Sequence, residues 1–208
     1  MPIDGASGGS WIGVRNDGVA AVLFNGAWHV HQKTASHTES RGLLIPRMLQ
    51  HHQPALHIKS LELYHTEPFS LLLVMHGEAR LYRWNGITLQ EERVNTNESP
   101  CWSSVTLYSM EQSDLRRSTW LNWLKSHLEA DNLLLENFTQ LSREAPSEVS
   151  IYMQRANGIQ TVSSTVVQLT KNQANITYMD YLNDGAITRL KLLLTHAYND
   201  PFISAPSW

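Results

Sequence analysis

Apolar residues fall into short clusters along the chain, and the spacing within each cluster predicts the elements. Trp11-Ile12-Gly13-Val14 and Val19 to Phe24 flank Arg15-Asn16-Asp17-Gly18. Asp-Gly between two β-prone runs favours a tight hairpin turn, so this stretch predicts a pair of antiparallel strands. Leu44, Met48 and Leu49 recur at helical spacing within Arg41 to Gln50, after Ser40, whose hydroxyl suits an N-cap. Pro54 suits a first helical turn and opens a second helix to about Leu63, with Leu56, Leu61 and Leu63 as its apolar positions and Glu67-Pro68 as its end. Phe69 to His76, Ala79 to Trp84 and Ile87 to Val94 are separated by the turn pairs Gly77-Glu78 and Asn85-Gly86. They predict a three-stranded meander.

Further along, Ser109-x-x-Gln112 has the form of a capping box, and the helix it opens carries Trp120, Trp123, Leu124 and Leu128 on one stripe, expected to pack on a sheet. Another helix is expected from Asp131, with Leu134, Phe138 and Leu141 inward, closed by Pro146. Val149 to Arg155, Gln160 to Thr170 and Asn175 to Tyr181 read as strands, and Ile187 to His196 as a helix before a tail ending at Trp208. Strands and helices thus come in blocks rather than in alternation, which implies an α+β fold of antiparallel sheets covered by helices. Residues 1–183 are expected to form one domain, with 184–208 an appendage.

Composition narrows the function. The chain has 208 residues, 42% hydrophobic and 17% charged, within the range of ordinary folded domains. A net charge of −3 without a run of Lys or Arg gives no footprint for nucleic acid or an anionic membrane surface. The apolar runs are a few residues long, far short of the roughly 20 needed to span a bilayer, so no integral membrane segment is expected. The N-terminal stretch has no signal-like core, so a cytoplasmic location is expected. One cysteine, Cys101, excludes an intramolecular disulfide and a cysteine-based metal site.

Several side chains invite a chemical reading. His29-x-His31, with His51, His52 and His57 nearby, resembles the start of a metal site, but no third ligand stands at a familiar spacing. Solvent-facing or hydrogen-bonded roles are preferred for these histidines, and no metal is assigned. Cys101, between Pro100 and Trp102, reads as a partly buried bystander. Asp114, Glu129 and Glu136 read as solvated helix charges. No phosphate loop or dinucleotide fingerprint appears, so no cofactor is assigned.

The string Gly8-Gly9-Ser10-Trp11-Ile12-Gly13-Val14, followed by Gly18 and a strand ending at Asn25, resembles the Gly-Gly hairpin of the NRDE family, the transport and Golgi organisation proteins. The later pieces come in the family's order: Ser40-Arg41-Gly42-Leu43-Leu44, the Phe69 to Val94 meander, and Asn97 followed by Trp102-Ser103-Ser104. Met153-x-Arg155 and Thr161-Val162-Ser163-Ser164-Thr165 complete the set. The resemblance implies an N-terminal-nucleophile αββα sandwich of antiparallel sheets. It also implies handling of a hydrophobic small molecule such as haem or acyl-CoA lipid, and a role in secretory organisation.

In such folds an N-terminal Cys is the nucleophile and its free amine the local base. Family members begin Met-Cys-Thr, and their Asn-Arg-Asp-Glu string precedes the Gly-Gly hairpin. This chain starts near the hairpin, so it is expected to be N-terminally incomplete, without a catalytic residue, and marginal as a monomer. An upstream Cys in a longer product would instead make an amidohydrolase of non-peptide C–N bonds. By resemblance, Asn25 and Asn97 match amide donors that polarise a carbonyl, although either amide also suits a turn. Related hydrolases offer an arginine near Tyr178 to Tyr181, where this chain has Met179.

Overall fold

Asp17 builds the first turn. Its carboxylate accepts from Arg15 Nε at 2.8 Å and from the Val19 amide at 3.2 Å. Gly18, at φ 86°, supplies the left-handed residue. The computed structural model, which describes residues 1–5, 7–127 and 149–195, places this turn between β1 (Ile12–Val14) and β2 (Ala20–Asn25). Arg15 also donates to the carbonyl oxygens of Leu49 and His51, so the turn is fastened to the end of the following helix. Burial opposes ionisation of Asp17, but the Arg15 guanidinium and the Val19 amide outweigh it and hold the carboxyl below its ordinary 3.8. A depressed carboxyl stabilises the fold fully above the unfolded value and loses that contribution as pH falls through the folded one. Asp17→Asn is therefore expected to cost about 1–2 kcal/mol at pH 7, and the difference from wild type should shrink below pH 4 in urea unfolding.

β3 (Phe69–Met75), β4 (Glu78–Trp84) and β5 (Leu89–Val94) continue the sheet in the order β1-β2-β3-β4-β5, every pair antiparallel. Alternation puts Ala21, Phe69, Leu71, Leu73, Tyr82 and Trp84 on one face, where they are buried against Leu44, Ile45 and Met48 of α1 (Leu44–Gln50) and Ile58 of α2 (Pro54–Ser60). Gly13 lets α1 lie close on β1, since a Cβ there would come within 2.5 Å of Leu49 Cδ1 and 3.2 Å of Ile45 Cγ2.

The second sheet is β6 (Ser163–Leu169), β7 (Gln173–Asp180) and β8 (Ala186–Leu193), antiparallel in the order β6-β7-β8. After β8, Thr195 N donates to Asn16 O at 2.8 Å and reaches the first hairpin. The described residues are thus α+β with antiparallel sheets and few helices.

Several expectations are corrected. Ser40 makes no side-chain cap bond. α2 stops at Ser60, and its Leu56 is 61% exposed. The capping box at Ser109 and Gln112 forms in both directions, at 3.2 and 3.0 Å. The helix it opens, α3 (Met110–Ser126), nevertheless buries none of its residues fully, so Trp120 and Trp123 stack on each other at 5.6 Å without entering the core.

Val149 to Arg155 is not a strand: side chains take the backbone groups of its first half, and beyond them only Gln154 forms an isolated antiparallel bridge, with Gln160. Arg116 donates to Val149 O and Ser150 O at 2.7 and 2.6 Å, and the Thr161 hydroxyl serves Ile151 O and Met153 N. The helix expected from Ile187 is β8, which pairs with β7 from Asp180↔Ala186 to Gln173↔Leu193. The helix expected from Asp131, with Leu128, Glu129, Leu134, Glu136, Phe138, Leu141 and Pro146, lies outside the described residues, as do His196 and the tail.

Candidate functional site

The site begins where two glycines meet. Ser10 N donates to Gly42 O at 2.9 Å, and a Cβ on Gly9 would lie 2.7 Å from the Gly42 carbonyl carbon. Only glycine allows this backbone contact, which sets the chain entering β1 against the 3-10 turn Arg41–Leu43. Gly8, at φ 67°, turns the chain into it. Asn25 ends β2 on the same side, and Gly26 follows at φ 82° with its amide on Pro68 O at 2.9 Å. The segment from Ser104 to Leu107 docks here: Ser104 Oγ donates to Asn25 O at 2.8 Å, and a Cβ on Gly26 would overlap Val105 Cγ2. Arg155 holds this segment from behind. It donates to Leu107 O, and its guanidinium lies 5.3 Å from the centre of the Tyr108 ring.

These pieces enclose a cavity of about 680 Å³. Trp11, Leu23, Phe24 and Leu107 form apolar wall, while Asn25, Lys33, Arg41 and Glu67 are among the polar groups. The Asn25 side-chain amide makes no hydrogen bond among the described residues. Glu67 is the electrostatic centre. His31 Nε2 lies 2.9 Å from its Oε2, Arg41 3.5 Å from the same oxygen, and Lys33 Nζ 3.9 Å from Oε1. Burial pushes the Glu67 carboxyl up, but the His31 hydrogen bond and the charges of Arg41, His31 and Lys33 leave it below its ordinary value. Burial lowers Arg41, with Glu67 opposing that fall only in part. Arg41 is further tied to Pro68 O at 3.2 Å.

A model of the family described as transport and Golgi organisation 2 matches residues 1–183. The chain belongs to the transport and Golgi organisation 2 family. No curated protein matches it.

Of the residues matched to the family's motifs, the fold brings Gly9, Trp11, Asn25 and Arg41 to this cavity, while Gly13 serves the packing of α1 and Arg155 the back of the wall. Asn97 is placed elsewhere. It is exposed in the 3-10 turn Thr96–Glu98, its amide on Asn95 Oδ1 at 3.2 Å, and it is not part of the cavity wall. Ser163 opens β6, and Ser164 Oγ meets the Tyr181 hydroxyl at 2.8 Å. Met179 is buried in β7 opposite Ser164.

Glu67 and Lys33 carry no sequence signal as site residues: Glu67 looks like a helix terminator, and Lys33 lies in an aperiodic polar stretch. His31 suggests a metal ligand, yet its partner in the fold is a carboxylate. His51 and His57 stack at 4.2 Å with planes 1° apart, and among the described residues no group of three His, Cys, Asp or Glu is placed to hold a metal. Cys101 is partly buried, and burial pushes its thiol up against the opposing charges of Arg116 and Arg117. Among the described residues no helix is long and apolar enough to cross a membrane.

Proposed function

We propose that this member of the family binds an amphipathic organic acid, of the kind of haem or an acyl-CoA lipid, in the cavity beside Asn25 and Arg41. The supporting observation is the pairing of an apolar wall with two cationic side chains, Lys33 and Arg41. Trp11, Leu23, Phe24 and Leu107 suit the apolar body, and Lys33 and Arg41 share one carboxylate, Glu67. Two further carboxylates line the cavity: Glu39 is paired with Arg47 at 2.9 Å, and Asp4 accepts from Ser7 Oγ at 2.8 Å. Lys33, 70% exposed and 3.9 Å from its partner, is the group most available to an incoming phosphate or carboxylate. A cavity of about 680 Å³ is in the range of small-molecule sites. The two antiparallel sheets are read as the inner layers of an N-terminal-nucleophile αββα sandwich.

The test is titration calorimetry with palmitoyl-CoA and haemin, with coenzyme A alone as the control for the head group. Palmitoyl-CoA and haemin should both bind, and coenzyme A should bind more weakly than palmitoyl-CoA. Lys33→Gln combined with Arg41→Gln should weaken palmitoyl-CoA by about tenfold or more, the order expected for lost charge-assisted contacts at a partly exposed site. Unchanged affinity in a double variant of native melting temperature would refute the proposal.

A second reading applies to a longer product that supplies an upstream N-terminal Cys: the unpartnered Asn25 amide at the cavity wall suits polarisation of an amide carbonyl by an N-terminal-nucleophile amidohydrolase. In that longer product, release of fatty acid from an N-acyl amide, abolished by Asn25→Ala while palmitoyl-CoA binding persists, would favour it over binding alone.

A further inference from the structure

An acid entering the cavity beside Asn25 and Arg41 meets a carboxylate already in place. Glu67 lines the wall together with Lys33 and Arg41, and its side chain is only 18% exposed. Its three contacts are unequal. His31 Nε2 lies 2.9 Å from Oε2, within hydrogen-bond range. Arg41 stands 3.5 Å from the same oxygen and Lys33 3.9 Å from Oε1, both beyond the roughly 2.7–3.2 Å of a good N–H···O bond. An ionised carboxylate only accepts, so His31 donates from Nε2 whether or not its ring is protonated. His31 itself lines a second, smaller cavity of about 300 Å³ with Trp28 and Val30. Glu67 is therefore hydrogen-bonded from behind and faces its two cations at a distance.

Arg41 has a second anchor. It donates to Pro68 O at 3.2 Å, so it keeps its place when the Glu67 carboxylate lets go. Burial disfavours its charged form and Glu67 offsets that only in part, so the guanidinium gains from a closer anion. We propose that Glu67 is a resident competitor for the ligand's acid group and His31 its holding partner, an inference that rests on the acid-binding reading of this cavity. A ligand carboxylate or phosphate takes Arg41 and Lys33 at hydrogen-bond distance, and Glu67 is left on His31. Because Glu67 belongs to the chain, it competes with every incoming acid at a fixed effective concentration. His31 thereby sets acid affinity without touching the ligand, by holding Glu67 away from the two cations it would otherwise satisfy.

Palmitoyl-CoA is the probe, titrated by calorimetry into the full chain and its variants. Glu67→Gln keeps an acceptor for His31 but no charge, and is expected to tighten palmitoyl-CoA by about tenfold, the worth of one charge-assisted contact at a partly exposed site. His31→Phe should weaken it by about threefold or more in the wild-type chain and by much less in the Glu67→Gln chain, where no competitor is left to hold. A merely structural His31 would weaken both backgrounds alike. If Glu67→Gln melts well below the wild type, Glu67→Asp, which withdraws the carboxylate by one methylene, replaces it in the cycle and should tighten binding by a smaller factor. Binding by the wild type with unchanged or weaker affinity in the Glu67 variant, or an equal loss from His31→Phe in both backgrounds, overturns this inference and leaves the acid-binding reading standing. No binding by either the wild type or the Glu67 variant overturns both.

Discussion

Replacing Phe69 with alanine is expected to destabilise the protein by about 3–5 kcal/mol, the cost of emptying a buried aromatic position that neighbours can refill only in part. Phe69 is fully buried at the start of β3, opposite Asn25 on one side and Trp84 on the other. Its loss opens a void in the core and at the same time loosens the strand end that carries Asn25. Against a total stability of roughly 5–15 kcal/mol the change is a large fraction, so the urea midpoint should fall steeply at unchanged slope. Leu56→Ala, at an exposed position of α2, should stay within about 0.5 kcal/mol of wild type. A Phe69→Ala variant as stable as Leu56→Ala would mean that the core is not arranged around β3.

Gly26→Ala is expected to cost about 2–4 kcal/mol, the sum of a left-handed residue's strain and an overpacked contact. Gly26 has φ 82°, and a methyl group there would overlap Val105 Cγ2. Gly77 is the control: its φ is 81° but nothing lies within 4 Å, so Gly77→Ala should carry the backbone cost alone, about 1–2 kcal/mol. The difference between the two variants isolates the docking of the Ser104 to Leu107 segment. Because that segment walls the cavity, Gly26→Ala should also weaken palmitoyl-CoA, whereas Gly77→Ala should leave its affinity unchanged. Equal effects of the two substitutions would deny the close approach of Val105 to Gly26.

What was legible in the sequence is local. Asp17-Gly18 and the Ser109 to Gln112 box declare themselves because a few neighbouring residues satisfy the backbone by themselves. β8 misleads because Ile187, Leu190 and Leu194 have helical spacing, and only pairing with β7, across the short turn that holds Asp184 and Gly185, makes the stretch a strand. Val149 to Arg155 misleads for the converse reason: its pattern suits a strand, but Arg116 and Thr161 occupy the backbone groups of Val149 to Ile151, and the pairing that remains is the single bridge of Gln154 with Gln160.

The site divides in the same way. Gly8, Gly9, Trp11 and Asn25 stand in one continuous motif, and the resemblance exposes them together. The Glu67 cluster draws His31 and Lys33 from a polar stretch without a period and Arg41 from the start of the first helical turn, up to 36 residues away across α1 and α2, which no local pattern encodes.

Hydrogen–deuterium exchange with and without palmitoyl-CoA tests the central claim most directly. The account predicts slower exchange in the backbone around Gly9 to Trp11, Thr38 to Gly42 and Ser104 to Leu107, the three segments that meet at the larger cavity. Protection confined to other segments, or none at saturating ligand, would contradict it.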